Sequence, residues 1–335
     1  MQNTGVGIRS ICIYVPDEVR DSEWISRASG IPESVIREKF GIKKVHKARE
    51  EMVSDMAVKA AEKALSGLDP MQIDLVVYCG SEYKDYYLYN CAAAVQHRIG
   101  AENAAAFELH SLCSAGVYSL KVVKSMMLQD PDINNVLLVS ASKEGDLINY
   151  TDQDSRFMFN FGDGAAAVLL QKDLPYNQVL ETKMLSNGAF AQDVCVPAVG
   201  NVNFAHLRDS KYEDFLLQVT NINNMKEQLD PITLPNFIRV IEEAVKKSGF
   251  ENKDINFIAP LFMKKSISVM ILDHFGLKPE NTFLLEEYGH CQSADVFISL
   301  KEGERLGRVK PGDLVVLVAA GTGYTWAATA LRWGS

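Results

Sequence analysis

No apolar run in this chain approaches the ~20 residues a membrane-spanning helix needs, and the N-terminus lacks a signal-peptide pattern. Metal-ligand spacing, a phosphate-binding loop and a dinucleotide fingerprint are all missing, so neither a resident cofactor nor a metal is expected. The six cysteines, at 12, 79, 91, 113, 195 and 291, form no CxxC pair and no disulfide-framework spacing. Together these absences point to a reduced, cytoplasmic setting with no membrane partner. Positive charge is scarce too. With 34 Lys and Arg against 43 Asp and Glu, the formal net charge is −9, which argues against nucleic acid as a partner. Low-complexity linkers are absent, and 335 residues can bury one large core or two fused ones.

The local exception to the acidic balance is Arg37, Lys39, Lys43, Lys44, Lys47 and Arg49, interrupted by Glu38 and Glu50. Such a segment is either a solvated basic face or a landing site for phosphates or an acidic carrier.

What the chain does have is a repeat of itself. Ile99-Gly100 … Asn103 … Phe107-Glu108 … Cys113 … Val117-Tyr-Ser-Leu-Lys121 returns as Phe275-Gly276 … Asn281 … Leu285-Glu286 … Ser293 … Phe297-Ile-Ser-Leu-Lys301. Gly162-Asp-Gly-Ala-Ala-Ala-Val168 returns as Gly321-Thr-Gly-Tyr-Thr-Trp-Ala327. Blocks recurring in one order imply a pseudo-twofold architecture, with halves expected over 1–172 and 173–335, fused into one unit. Cys113 and the loop before Ser293 then occupy equivalent corners of the two halves, and a site can form where those corners meet.

Continuous apolar strands at Asp74–Cys79, Asn135–Ser140 and Leu314–Ala319 alternate with amphipathic helices at Met52–Leu65 and Leu234–Lys247. Strands that are apolar throughout are buried on both faces, which makes the fold α/β. Pro235 suits the first turn of its helix and Gly249 its end. Residues 187–232 are the least regular stretch and are expected to form a loop-rich insertion over the site.

Cys113 follows the strand-like Phe107-Glu-Leu-His-Ser-Leu112, and Ser-Ala-Gly116 behind it opens a helix. A helix N-terminus favours negative charge, and the thiolate is the nucleophilic form of cysteine. A lone cysteine is more often a buried, inert thiol. Its place at a corner of the repeat shifts the balance towards a nucleophile.

At these residues the chain resembles the thiolase superfamily, and within it the β-ketoacyl-acyl carrier protein synthase III group. The resemblance rests on the Cys113 loop, Phe161-Gly-Asp-Gly-Ala165, Gly307-Arg-Val-Lys-Pro-Gly312 and Gly321-Thr-Gly-Tyr-Thr-Trp326. It implies a five-layered αβαβα fold, a homodimer, an acyl-cysteine intermediate, and coenzyme A or acyl carrier protein thioesters as substrates. The backbone N–H groups of Cys113 and Thr322 fall where the family builds its oxyanion hole. Lys39 falls where members place a basic residue against coenzyme A, and Lys43 belongs to the same basic segment. Leu88 matches a position that reaches across the dimer into the neighbouring acyl pocket.

The departures are informative. Condensing members use a Cys-His-Asn set to decarboxylate a malonyl thioester. The family His belongs after a strand-ending Pro, where this chain reads Pro260-Leu261-Phe262. The family Asn belongs after a Gly in the second half, where this chain reads Tyr288-Gly289-His290. What remains is a Cys113, His290, Asp295 set, similar to a minority group of synthase III-like acyltransferases that move acyl groups onto oxygen, nitrogen or carbon nucleophiles. Leu261 and Phe262, with Lys39, Lys43 and Leu88, are the expected substrate contacts. Three readings follow: an acyltransferase without decarboxylative condensation, a condensing enzyme with an altered His position, and a non-catalytic partner subunit.

Overall fold

The computed structural model describes residues 5–202 and 204–334. Nine strands carry the architecture: β1 (Val6–Tyr14), β2 (Leu75–Gly80), β3 (Ala105–His110), β4 (Asn135–Ser142), β5 (Gly164–Lys172), β6 (Gln178–Ser186), β7 (Ile255–Pro260), β8 (Leu314–Gly321) and β9 (Thr325–Arg332). They lie in the order β7-β8-β9-β6-β1-β5-β4-β2-β3. The join between β6 and β1 is a single register pair, Gly7 with Gln178, so two sheets meet at one edge.

Helices sort themselves around these sheets by which faces they can cover. The helices α1 (Val53–Ala64) and α2 (Cys91–Arg98) cover the outside of the first sheet. The helices α4 (Asp230–Lys247) and α5 (Lys265–His274) lie outside the second, α4 directly on β6, β8 and β9 and α5 against α4. Between the sheets lie α3 (Ala115–Gln129) and α6 (Asp295–Arg305), each packed on strands of both halves. That is the five-layered αβαβα arrangement. Its physical basis is visible along β2 and β4. Val76, Tyr78, Leu137 and Val139 point into the outer core, while Leu75, Val77, Val136 and Leu138 point into the core shared with α3 and the second half. A run apolar at every position is what a strand covered on both sides requires.

The pseudo-twofold is kept in backbone detail. Leu112 (φ 48°) opens a 3₁₀ turn that leads into α3, and Gln292 (φ 53°) opens the matching turn into α6. Few non-glycine residues adopt this left-handed conformation, so its recurrence at equivalent corners is a structural imprint of the repeat. The halves are not identical. The counterpart of β3 is reduced to one bridge, Thr282 beside Ile258.

Two expectations about the second half resolve differently. Gly249 (φ 82°) does follow the end of α4. Pro235, expected in the first turn, instead lies inside the helix, because α4 begins at Asp230 with Pro231 in its first turn. A wider π-turn, Met225–Leu229, feeds it, and Met225 and Leu229 are both buried in the shared core. Their packing draws the helical path upstream of the prolines.

Where α3 passes the turn into α6, Gly116 leaves no room for a side chain. A Cβ there would sit 2.5 Å from the Ser293 carbonyl oxygen and 3.0 Å from the Phe297 ring. Gly116→Ala is therefore expected to cost about 1–3 kcal/mol of stability through overpacking. The check is the chemical-denaturation midpoint at unchanged m-value; an unaltered midpoint would mean that this crossing gives way freely.

Candidate active site

Both 3₁₀ turns end at the same place, and they bring three chemically different groups together. Cys113 lies in the turn before α3, and Asp295 is the first residue of α6. His290 lies on the loop before the second turn. Its Nε2 is 3.2 Å from the Cys113 Sγ, and its Nδ1 is 2.5 Å from Asp295 Oδ2. The sequence reading expected these three together, and the fold assembles them in one row.

The carboxylate end of the row is closed to water. Asp295 has no exposed surface. Its Oδ2 also accepts the Phe262 N–H (2.6 Å), and its Oδ1 accepts the Cys291 N–H (2.7 Å). A charge withdrawn from solvent is tolerable when paired and hydrogen-bonded in this way. For His290, burial disfavours the imidazolium, but Asp295 and then Cys113 outweigh it and hold the imidazole well above its ordinary value. Cys291 is no rival thiol. Its side chain is fully buried, and burial, reinforced by Asp295, pushes its pKa well up.

His290 is held by its backbone as well. Its N–H donates to the Asn160 carbonyl (2.6 Å), its carbonyl accepts from Gly162 N–H (3.1 Å), and the Phe161 ring stands edge-on to the imidazole at 4.7 Å between centroids. The two segments approach this closely because glycines face each other. A Cβ on Gly289 (φ 87°) would lie 2.9 Å from the Gly162 Cα. In the same stretch, Asp163 accepts Ala48 N–H (2.8 Å) and pairs with Lys47 (3.0 Å).

A cavity of about 1110 Å³ opens onto Cys113 and His290. Leu261 and Phe262 line it, as does Thr322. Cys113 and Thr322, whose backbone N–H groups are the expected oxyanion donors, both belong to this lining. The irregular stretch 187–232 supplies one wall, through Val196, Leu216, Leu217 and Met225 among others.

Other expected contacts lie elsewhere. Lys39 is exposed on a short π-helix and Lys43 pairs with Glu286 (3.2 Å) and Glu287 (3.5 Å); neither lines the cavity. Lys47 is buried rather than part of a solvated face, and Arg49 pairs with Glu18. The cations that do line the cavity are Arg156, Lys226 and Lys264. These are scattered in sequence, so no local run signalled them. Leu88, expected to reach a neighbouring subunit's pocket, is 94 % exposed and lies outside the lining of its own chain's cavity, whereas its neighbour Tyr87 lines that cavity. His110 ends β3 with its Nε2 3.0 Å from Glu108, also outside the lining. Asn160 and Tyr324, which the sequence reading passed over, both line it.

Comparison with known proteins bears on the fold and the family. The layered fold is that of the thiolase-like acyl-transferring enzymes. The family model for 3-oxoacyl-[acyl-carrier-protein (ACP)] synthase III matches residues 107–188, and its C-terminal model matches 245–333. The β-ketoacyl-[acyl-carrier-protein] synthase III of Symbiobacterium thermophilum is 30 % identical over 98 % of both chains. The crystal structure of 3-oxoacyl-[acyl-carrier-protein] synthase III from Aquifex aeolicus superposes with a TM-score of 0.85 at 24 % identity, covering 98 % of this chain and 100 % of that one. The acyltransferase ChlB3 superposes at 0.82 with 19 % identity, covering 99 % and 98 %. This chain belongs to the β-ketoacyl-acyl carrier protein synthase III family, and it is an acyltransferase.

Asp295 is the first of the two groups that lift the His290 titration, and Asp295→Asn leaves Cys113 alone against burial. The His290 midpoint is then expected to fall, because the close opposite charge that favours the imidazolium is gone. Imidazole titration followed by NMR reads this directly, and an unmoved midpoint would remove Asp295 from the role.

Proposed function

We propose that this enzyme takes an acyl group from a coenzyme A or acyl carrier protein thioester onto Cys113 and passes it, without decarboxylative condensation, to an oxygen, nitrogen or carbon nucleophile. The observation that carries the reading is His290 standing between Cys113 Sγ at 3.2 Å and Asp295 Oδ2 at 2.5 Å. In the loading step His290 Nε2 takes the thiol proton and the sulfur attacks the thioester carbonyl. The Cys113 and Thr322 N–H groups bond the resulting oxyanion. The intermediate collapses, the donor thiol leaves, and His290 returns the proton to it. In transfer, His290 takes the acceptor's proton as the acceptor attacks acyl-Cys113, and the cysteine thiol is released. Asp295 fixes the imidazole and stabilises its cation throughout. Arg156, Lys226 and Lys264 suit the phosphate-bearing end of the donor.

Leu261 argues against condensation. It is 7 % exposed, lines the cavity, and occupies the place where condensing relatives are expected to carry a histidine. Leucine neither donates a hydrogen bond to an enolate nor moves a proton. Losing one oxyanion donor costs about 10²–10³-fold in rate.

Mixing the protein with acyl thioesters is expected to add one acyl mass, and Cys113→Ala to abolish it. Malonyl-carrier protein added to the loaded enzyme should release no carbon dioxide at a useful rate. Transfer should slow as pH falls through the raised His290 midpoint, since only the neutral imidazole accepts a proton. Efficient carbon dioxide release with a β-ketoacyl product would replace this reading with a condensing one.

We also propose a homodimer. Among the described residues the strand β3 ends the sheet with one side unpaired, and Tyr86, Tyr87 and Leu88 stand exposed on the loop after β2. Light scattering on the purified protein should give twice the mass of one chain; a monomer at micromolar concentration would refute it.

A further inference from the structure

Asn160 closes a circuit of hydrogen bonds around the proposed base. Its backbone carbonyl accepts His290 N–H at 2.6 Å. His290 Nδ1 meets Asp295 Oδ2 at 2.5 Å, the same oxygen accepts Phe262 N–H at 2.6 Å, and the Phe262 carbonyl accepts Asn160 Nδ2–H at 2.8 Å. Four residues from four segments of chain are thereby joined in a ring. The orientation of the Asn160 amide is fixed by chemistry, because only its NH₂ can face a carbonyl oxygen. We propose that Asn160 is a positioning residue: its side chain holds the Phe262 peptide so that the peptide N–H and His290 share one carboxylate oxygen. The inference rests on the His290–Asp295 reading above.

The physical consequence runs through Asp295. With Asn160 in place, the carboxylate receives donors at both oxygens and cannot rotate. Removing the Asn160 side chain leaves the backbone bond to His290 intact but strands the Phe262 carbonyl, whose residue is 1 % exposed. A buried carbonyl without a donor is costly, so the peptide shifts and its N–H bond to Asp295 lengthens. A carboxylate that has lost a donor attracts a proton more strongly, and the His290 imidazolium beside it is then held more tightly. The base would be neutral only at higher pH.

Asn160→Leu, which keeps the size and removes the donor, and Asn160→Ala are the test variants; if one does not fold, the other serves. The first measurement is the imidazole titration of His290 in resting protein, identified by its disappearance in His290→Ala. Its midpoint is expected to rise above the wild-type value. The second is acyl transfer, expected to fall ~10–10²-fold in kcat as the base is misplaced, with the donor KM within about twofold. A midpoint that stays or falls in the variants overturns the proposal, and so does a loss confined to KM. A purely structural role would lower thermal stability without moving the titration. If wild-type protein never acylates Cys113, the transferase reading fails, while the titration, which needs no turnover, still judges Asn160.

Discussion

A carboxylate held entirely out of water at the centre of the molecule is the constraint on which the rest of the arrangement depends. Burial of Asp295 there is tolerable because three N–H donors reach it, from His290, Phe262 and Cys291. One comes from the end of β7 and two from the adjacent His290 and Cys291, so satisfying one carboxylate dictates where the end of β7, the His290 loop and the start of α6 must meet. The position at the first turn of α6 adds the favourable end of the helix dipole. The loop carrying His290 can reach Asp295 only by passing the Phe161-Gly162 segment at backbone contact, which explains the glycine on each side of that crossing.

The repeat makes the two corners alike, and the chemistry makes them different. Cys113 and Ser293 occupy matching places in the two 3₁₀ turns. The Ser293 hydroxyl is spent on structure, bonded to Ser140 Oγ at 2.6 Å and the Cys79 carbonyl at 2.9 Å. The Cys113 thiol faces a cavity and a histidine. One half therefore supplies the thiol and the other the imidazole and carboxylate lined up behind it.

Much of this was legible in the chain. The doubled blocks gave away two halves, strands apolar at every position gave away sheets covered on both faces, and the resemblance put Cys113, His290 and Asp295 in one site. What stayed hidden was whatever depends on contacts between distant segments. Lys47 reads as one more member of a basic run, yet it is buried beside Asp163 and Asp146. Pro235 reads as a helix start, and only the packing of Met225 and Leu229 shows that the helix begins earlier. Asn160 sits next to a recognisable glycine motif, but its partner is the carbonyl of Phe262, 102 positions away. Arg156, Lys226 and Lys264 share a cavity and no pattern.

The single register pair joining the two sheets has a consequence for how the molecule holds together. So little backbone crosses from β1 to β6 that the union of the halves depends on α3 and α6, which are buried between them. Neither half owns a finished core; each would bare the apolar inner face of its sheet if the other were taken away. A sequence that reads as one unit written twice is, energetically, indivisible, and Cys113, His290 and Asp295 lie on the seam that makes it so.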